Sequence, residues 1–221
     1  MRIGIFGGTF NPVHKGHVIA AEAIYKAFEL DTCIWVPSNL PPHKDEEGLE
    51  NALHRLKMVE LATQPYRYYD VSDVEIQRKG PSYTLDTINY FSEKNLKAKL
   101  FLLLGTDAFL LMRSWKNPIQ ILEKVNAIIM YRPGKGTWEE QIRQIGLYIR
   151  TNLDKEYRYS EENECFSHLF LKTIYLKKIP ALDVSSTEIR EKLARDENVD
   201  QWINPDILQY IQAYHLFKVT K

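Results

Sequence analysis

Gly7-Gly8-Thr9-Phe10-Asn11-Pro12-Val13-His14-Lys15-Gly16-His17 separates two segments of different periodicity. Before it, Arg2 to Phe6 is a short, mostly apolar run that reads as a buried strand. After it, Gly16 to Glu29 spaces Val18, Ala21, Ala23, Ile24, Ala27 and Phe28 as a helix does. The eleven residues are therefore a glycine-loaded crossing from strand to helix. Paired glycines let backbone N–H groups come close to a ligand, and a helix start adds unpaired donors and partial positive charge. His14 and His17 are three apart and share one face of a helical turn. Two imidazoles beside such donors suit an anion that gains charge during a reaction, phosphate above all.

Plainer readings exist for each part. A Gly-Gly pair before a helix serves as a turn, and paired histidines sit on surfaces and in cores. A zinc site fits poorly, because metalloprotease histidines are spaced i, i+4 around a Glu and no cysteine cluster is present. The stretch is neither the lysine-bearing phosphate loop nor the GxGxxG dinucleotide fingerprint.

The chain has 221 residues, enough for one well-packed domain, and 44% apolar with 26% charged residues is ordinary globular composition. Lys plus Arg and Asp plus Glu both number 29, so no net charge favours nucleic acid or an acidic membrane as a partner. Cys33 and Cys165 are too few and too scattered for a disulfide framework or a zinc site. The first apolar run breaks at Gly7-Gly8, which does not read as a signal peptide, and no run approaches 18 apolar residues. A cytoplasmic protein is expected.

Further along, Cys33 to Val36 reads as a second strand, ended by Pro37. Pro41 and Pro42 exclude helix and central strand, so residues 38 to 50 read as a mobile loop over the sheet's end, where open α/β folds bind ligands. Asn39 and Lys44 are its reactive tips if it closes on a phosphate; otherwise it is a surface connection. Residues 51 to 63 form a helix through Leu53, Leu56, Val59 and Leu61, with Arg55 on or near its polar side. Val71, Val74 and Ile76 suggest a third strand. Ser82 then reads as the N-cap of a helix running to about Glu93, with Thr84 in its first turn, where a carboxylate is well held.

Lys99 to Leu104 is the most hydrophobic run and reads as a central parallel strand ending in Gly105-Thr106-Asp107. Asp107 suits a pair of ribose hydroxyls, or the N-cap of a helix over 108 to 113, or both. Trp115 is core or interface by default, yet is placed to stack on an aromatic ring. Asn126 to Tyr131 is a strand and 137 to 152 a helix, whereas 153 to 167 is patternless and reads as disordered or lid-like. His168 to Leu176 and Ile179 to Val184 alternate as strands do. Ser185 and Glu188 have the spacing of a capping box opening a helix to about Arg195. Ser186, Thr187 and Arg190 then gather two hydroxyls and a guanidinium at that helix start, a second anion site. Pro205 begins a last helix that packs through Ile207, Leu208, Ile211 and Tyr214.

In order, GGTFNPVHKGH, PSNLPPHK, SYTLDT, LGTDAF with Trp115, YRPG and VSSTEIR cover most of the chain. With these motifs the sequence resembles the bacterial nicotinate-nucleotide adenylyltransferases of the HxGH nucleotidyltransferase superfamily. The resemblance implies a Rossmann-like, doubly wound, mostly parallel α/β sheet with helices on both faces. It also implies transfer of AMP from ATP to nicotinate mononucleotide, giving deamido-NAD and pyrophosphate, with Mg²⁺. Carried over, Gly7, Gly8, Thr9 and Phe10 line the nucleotide pocket, and His14 and His17 contact the triphosphate. Gly105 and Asp107 hold the ribose, and Ser186, Thr187 and Arg190 the β- and γ-phosphates. For the second substrate, Trp115 stacks on the pyridine ring, Thr84 binds the carboxylate, and Asn39, Lys44 and Arg132 lie near the mononucleotide. Lys116 is a further candidate cation for that carboxylate, suggested by its place beside Trp115 and not by the resemblance.

One nucleotidyltransferase domain over 1–221 is expected, with 136–178 variable and 185–221 its C-terminal helical part. The variable segment matches no motif, and a homo-oligomer is compatible with it. Rival readings are the same chemistry on nicotinamide mononucleotide or on phosphopantetheine, and a module that senses ATP or a dinucleotide without turning it over. Phosphopantetheine enzymes share the first loop but have no need of SYTLDT followed by Trp115.

Overall fold

A computed structural model describes residues 1–41, 48–131, 136–180, 182 and 184–218 of the chain. Among these residues one sheet holds eight strands: β1 (Arg2–Gly8), β2 (Thr32–Pro37), β3 (Tyr69–Val71), β4 (Lys99–Gly105), β5 (Asn126–Tyr131), β6 (Arg158–Ser160), β7 (Cys165–Ser167) and β8 (Ile174–Lys178). Their order is β3-β2-β1-β4-β5-β8-β7-β6. Every pairing from β3 across to β8 is parallel; β7 joins β8, and β6 joins β7, antiparallel. This is the mostly parallel, doubly wound α/β architecture that the resemblance implies.

The helices are α1 (Lys15–Ala27), α2 (Ala52–Thr63), α3 (Val74–Gln77), α4 (Thr84–Lys94), α5 (Thr106–Leu110), α6 (Pro118–Lys124), α7 (Trp138–Asn152), α8 (Ser186–Ala194) and α9 (Pro205–Ala213). Successive strand residues point to opposite faces, and here both faces are apolar. Phe101 and Leu103 of β4 join α1, α2, α8 and α9 in one core; Leu100, Leu102 and Leu104 join α4, α5, α6 and α7 in the other. Residues 99 to 104 are therefore apolar almost without a break. None of the described helices is long and apolar enough to cross a membrane.

The chain runs outward from β1 through β2 to β3, then returns to place β4 on β1's other side. The strand order thus reverses between β1 and β4, and crevices at such switch points, outside the strands' carboxyl ends, receive ligands in open α/β sheets. Gly7-Gly8 closes β1 and Gly105 closes β4, so both glycine positions flank that crevice.

Several local expectations are corrected. Val74 and Ile76 lie in the short helix α3, not in a strand, and their spacing by two is accidental. Residues 153 to 167 are not patternless coil: β6 and β7 pair as a hairpin, with Tyr157 and Phe166 buried in the core. These strands are three residues long, too short for alternation to register. Only Ile174–Lys178 of the stretch from 168 to 184 is a strand among the described residues. Leu53 and Tyr214, read as packing residues, are 62% and 56% exposed.

Candidate active site

His14 holds the N-cap position of α1 with extended backbone, and its N–H donates to Nδ1 of His17 at 3.2 Å. A nitrogen that accepts carries no proton, so the neutral His17 ring presents its N–H at Nε2, on the opposite edge. The two rings lie 3.8 Å apart between centroids. A Cβ on Gly16 would come within 3.0 Å of the His14 ring. The glycine between the histidines thus leaves the space that His14 occupies, and Gly16 has a packing reason to be small.

The loop ahead of α1 is held from outside by its carbonyl oxygens. Gly8 O accepts from Ser38 N at 2.9 Å and Thr9 O from Arg55 Nη1 at 2.8 Å. Asn11 O accepts from Arg190 Nη1, and Pro12 O from Ser186 Oγ, both at 2.9 Å. Phe10 sits at φ +50, a left-handed conformation unusual for an aromatic residue. Its ring is fixed against Phe6, Trp35 and His17, with centroids 5.5, 5.4 and 5.2 Å away. A backbone held this firmly before any ligand arrives is preorganised, which is what electrostatic catalysis requires.

Two of those four donors come from the start of α8. Its capping box is formed as expected: Ser185 Oγ accepts from Glu188 N, and Glu188 Oε2 accepts from Ser185 N. Ser186 and Thr187 open the helix, and Arg190 Nη2 donates to Thr187 Oγ1 at 3.3 Å. The beginning of α8 is therefore bonded to the loop that leads into α1. Ser186 uses its hydroxyl proton on Pro12 O, so its available donor to an anion is its main-chain N–H in the first turn.

Asn39 lies just past β2, where its N–H donates to Ser82 Oγ at 2.8 Å and its carbonyl accepts from Arg55 Nη2 at 2.9 Å. Ser82 does not cap α4. Tyr83 holds that position, and the Ser82 hydroxyl is directed to Asn39 instead. Thr84 is the first residue of α4, as its proposed role with a carboxylate needs. Lys116 Nζ lies 3.0 Å from Asp86 Oδ1 in that same first turn and 5.0 Å over the Tyr83 ring. Its charge is thus paired with Asp86, and reaching a ligand would compete with that pair. Trp115 is half-buried against the core under α4 to α7. Asp107 is exposed inside α5, whose N-cap position is Gly105, so the expected capping role passes to Gly105. Lys44 and Arg132 lie outside the described residues.

Gly7 and Gly105 are informative through what they do not meet. A Cβ at either would find no atom within 4 Å, and neither has the positive φ that demands glycine. Packing therefore does not require them to be small. Gly7→Ala is expected to leave stability within about 0.5 kcal/mol while raising KM for ATP about tenfold, a loss of ~1.4 kcal/mol. Unfolding curves and initial rates check this; an unchanged KM would mean that no ligand passes there.

Three site residues escaped the sequence reading. Asn11 is buried, donating from Nδ2 to Gly48 O and accepting at Oδ1 from Glu50 N, which pins the far end of loop 38–50. Arg55 is not on a polar face: it is fully buried and donates to three carbonyls. The signal was available, since Arg55, Met58, Val59, Ala62 and Thr63 form one helical stripe and are the buried residues of α2. Glu75 is buried beneath Ser82 and accepts from Thr87 Oγ1 at 2.6 Å. Burial pushes its carboxyl above the ordinary value, while the bonds from Thr87 and Ser82 and the charges of Arg78 and Arg55 pull it down.

Comparison with known proteins adds ancestry to this geometry. Residues 5–192 match the model of the cytidylyltransferase-like family. A protein of Thermoanaerobacter sp. (strain X514), named as a probable nicotinate-nucleotide adenylyltransferase, is 35% identical over 219 residues, spanning 99% of this chain and 95% of its own. One of Caldicellulosiruptor bescii with the same name is 32% identical, spanning 99% and 100%. The solved structure of Plasmodium falciparum nicotinic acid mononucleotide adenylyltransferase complexed with NaAD shares the fold at TM-score 0.73 and 20% identity, covering 98% of this chain and 97% of that one. Identity at the level of the two bacterial relatives, sustained along almost the whole of both chains, places this protein by descent: it belongs to the nicotinate-nucleotide adenylyltransferase family, within the cytidylyltransferase-like nucleotidyltransferases.

Proposed function

We propose that this enzyme transfers AMP from ATP to nicotinate mononucleotide, giving deamido-NAD and pyrophosphate, in the cytoplasm as a step of NAD biosynthesis. The observation that carries the reading is the bonding of the α1 and α8 starts through Arg190 to Asn11 O and Ser186 to Pro12 O. Two helix N-termini held together offer fixed donors and partial positive charge to one polyphosphate. We assign the reaction to residues 1–221 acting as one nucleotidyltransferase unit.

The mononucleotide's own phosphate oxygen attacks the α-phosphorus, the bond from that phosphorus to the β-bridging oxygen breaks, and pyrophosphate leaves with the electron pair. No enzyme nucleophile takes part. Catalysis is positioning and charge neutralisation, and orientation supplies roughly 7–11 kcal/mol of the barrier reduction. His17 Nε2–H faces the charge growing at the α-phosphate, with His14 beside it. Gly7, Gly8, Thr9 and Phe10 shape the ATP pocket, Gly105 and Asp107 hold the ribose, and Thr187, Arg190 and the Ser186 N–H hold the outer phosphates. Asn39 binds the mononucleotide, a role that the family resemblance extends to Lys44 and Arg132; Trp115 stacks on its ring, and Thr84 with the α4 N–H groups takes its carboxylate. Lys116 serves that carboxylate only by releasing Asp86.

Among the described residues no group of three or more His, Cys, Asp or Glu side chains is placed to cage a metal. A divalent cation such as Mg²⁺ would be met there by few protein ligands, and it would supply positive charge to the phosphates that Thr187, Arg190 and the Ser186 N–H hold.

The test is pyrophosphate release from ATP with nicotinate mononucleotide, run beside nicotinamide mononucleotide. Release is expected with the acid, at a kcat/KM about tenfold or more above the amide, the scale of ~1.4 kcal/mol for a charge at a partly buried helix start. A clear preference for the amide would overturn the role of Thr84. Binding of both nucleotides without release would make the protein a sensor.

A further inference from the structure

Arg55 gathers three separate stretches of chain on one buried guanidinium. Nη1 donates to Thr9 O at 2.8 Å, Nη2 to Asn39 O at 2.9 Å and Nε to Glu50 O at 2.9 Å. Thr9 belongs to the loop assigned to ATP. Asn39 belongs to the loop assigned to the mononucleotide, and Glu50 closes that loop's base.

We propose that Arg55 is a positioning residue that couples the two substrate half-sites, so that filling the ATP side tightens the mononucleotide side. The proposal rests on the function given above. A guanidinium is planar and its donors keep fixed angles, so a shift of one bonded carbonyl is passed to the others rather than absorbed. Being fully buried, the group has no water to replace a lost partner. The contact chain goes on from Asn39 N to Ser82 Oγ, two residues before Thr84. Thr9, Arg55, Asn39 and Ser82 are thus linked by successive hydrogen bonds, from the loop assigned to ATP to the residue two before Thr84. The Glu75 carboxylate opposes the lowering that burial imposes on the guanidinium's pKa.

The measurement is the Kd of nicotinate mononucleotide by calorimetry, with and without a saturating non-hydrolysable ATP analogue. In the unaltered protein the analogue is expected to tighten binding about tenfold, within the usual range of coupling. In Arg55→Lys, one ammonium cannot span three carbonyls, and the ratio is expected to fall below about twofold although each ligand alone still binds. Reciprocity requires the same loss when ATP analogue binding is measured against the mononucleotide. A purely structural role would weaken both sites and leave the ratio intact, which overturns the coupling, as does a ratio of one in the unaltered protein. If the unaltered protein binds neither nucleotide, the functional reading has failed and the coupling with it. Should Arg55→Lys not fold, amide exchange on the unaltered protein decides: the ATP analogue alone is expected to slow exchange at Asn39 and Glu50 about threefold or more, the order of effect given by coupled local opening. No change there overturns the proposal.

Discussion

His17→Ala is expected to lower kcat by about 10²–10³, the usual cost of removing one preorganised donor to developing charge. The fold is expected to tolerate the change. His17 is only half-buried, and the bond that its Nδ1 accepts from His14 N is a helix-start contact worth about 1 kcal/mol. KM for ATP should change little, because the interaction assigned to Nε2 strengthens mainly in the transition state. Steady-state pyrophosphate release with a denaturant unfolding curve tests both halves. Turnover close to that of the unaltered protein would remove His17 from the mechanism. Loss of activity with loss of fold would make its role structural.

Arg55→Met is expected to cost about 3–5 kcal/mol of stability, the range for breaking a buried charged constellation by removing one partner. Met keeps much of the apolar stem, so the loss isolates the polar part. Thr9 O, Asn39 O and Glu50 O each lose the bond from the guanidinium, at about 1–3 kcal/mol for a buried group without a partner. The buried Glu75 also loses a compensating charge. The denaturant midpoint should fall with an unchanged slope. A loss below about 1 kcal/mol would mean that water reaches those carbonyls, and a strut that water can replace transmits little.

How much of the site was legible varied with the range of the interaction. The capping box of Ser185 and Glu188 depends on residues three apart, and it is formed as read. The central strand at residues 99 to 104 was legible because both its faces are buried and its apolar run is unbroken. Arg55 is harder to place, because the polarity of a side chain does not separate exposed from buried, whereas its position on the stripe with Met58 and Val59 does. Ser82 was misread because an N-cap is the commonest local use of serine, and only the fold brings Asn39 to its hydroxyl. The pairing of Lys116 with Asp86, thirty residues earlier, is likewise invisible to local sequence.

Sequence by itself determined the strand–turn–helix crossing, the two helix starts and the family, because these rest on local periodicity, backbone-permissive glycines and motif order. Only the tertiary structure decided that the second helix start is bonded to the first loop, and which donors hold that loop's carbonyls. Buried carbonyls must find donors, and nothing in the local sequence says which distant side chain will supply them.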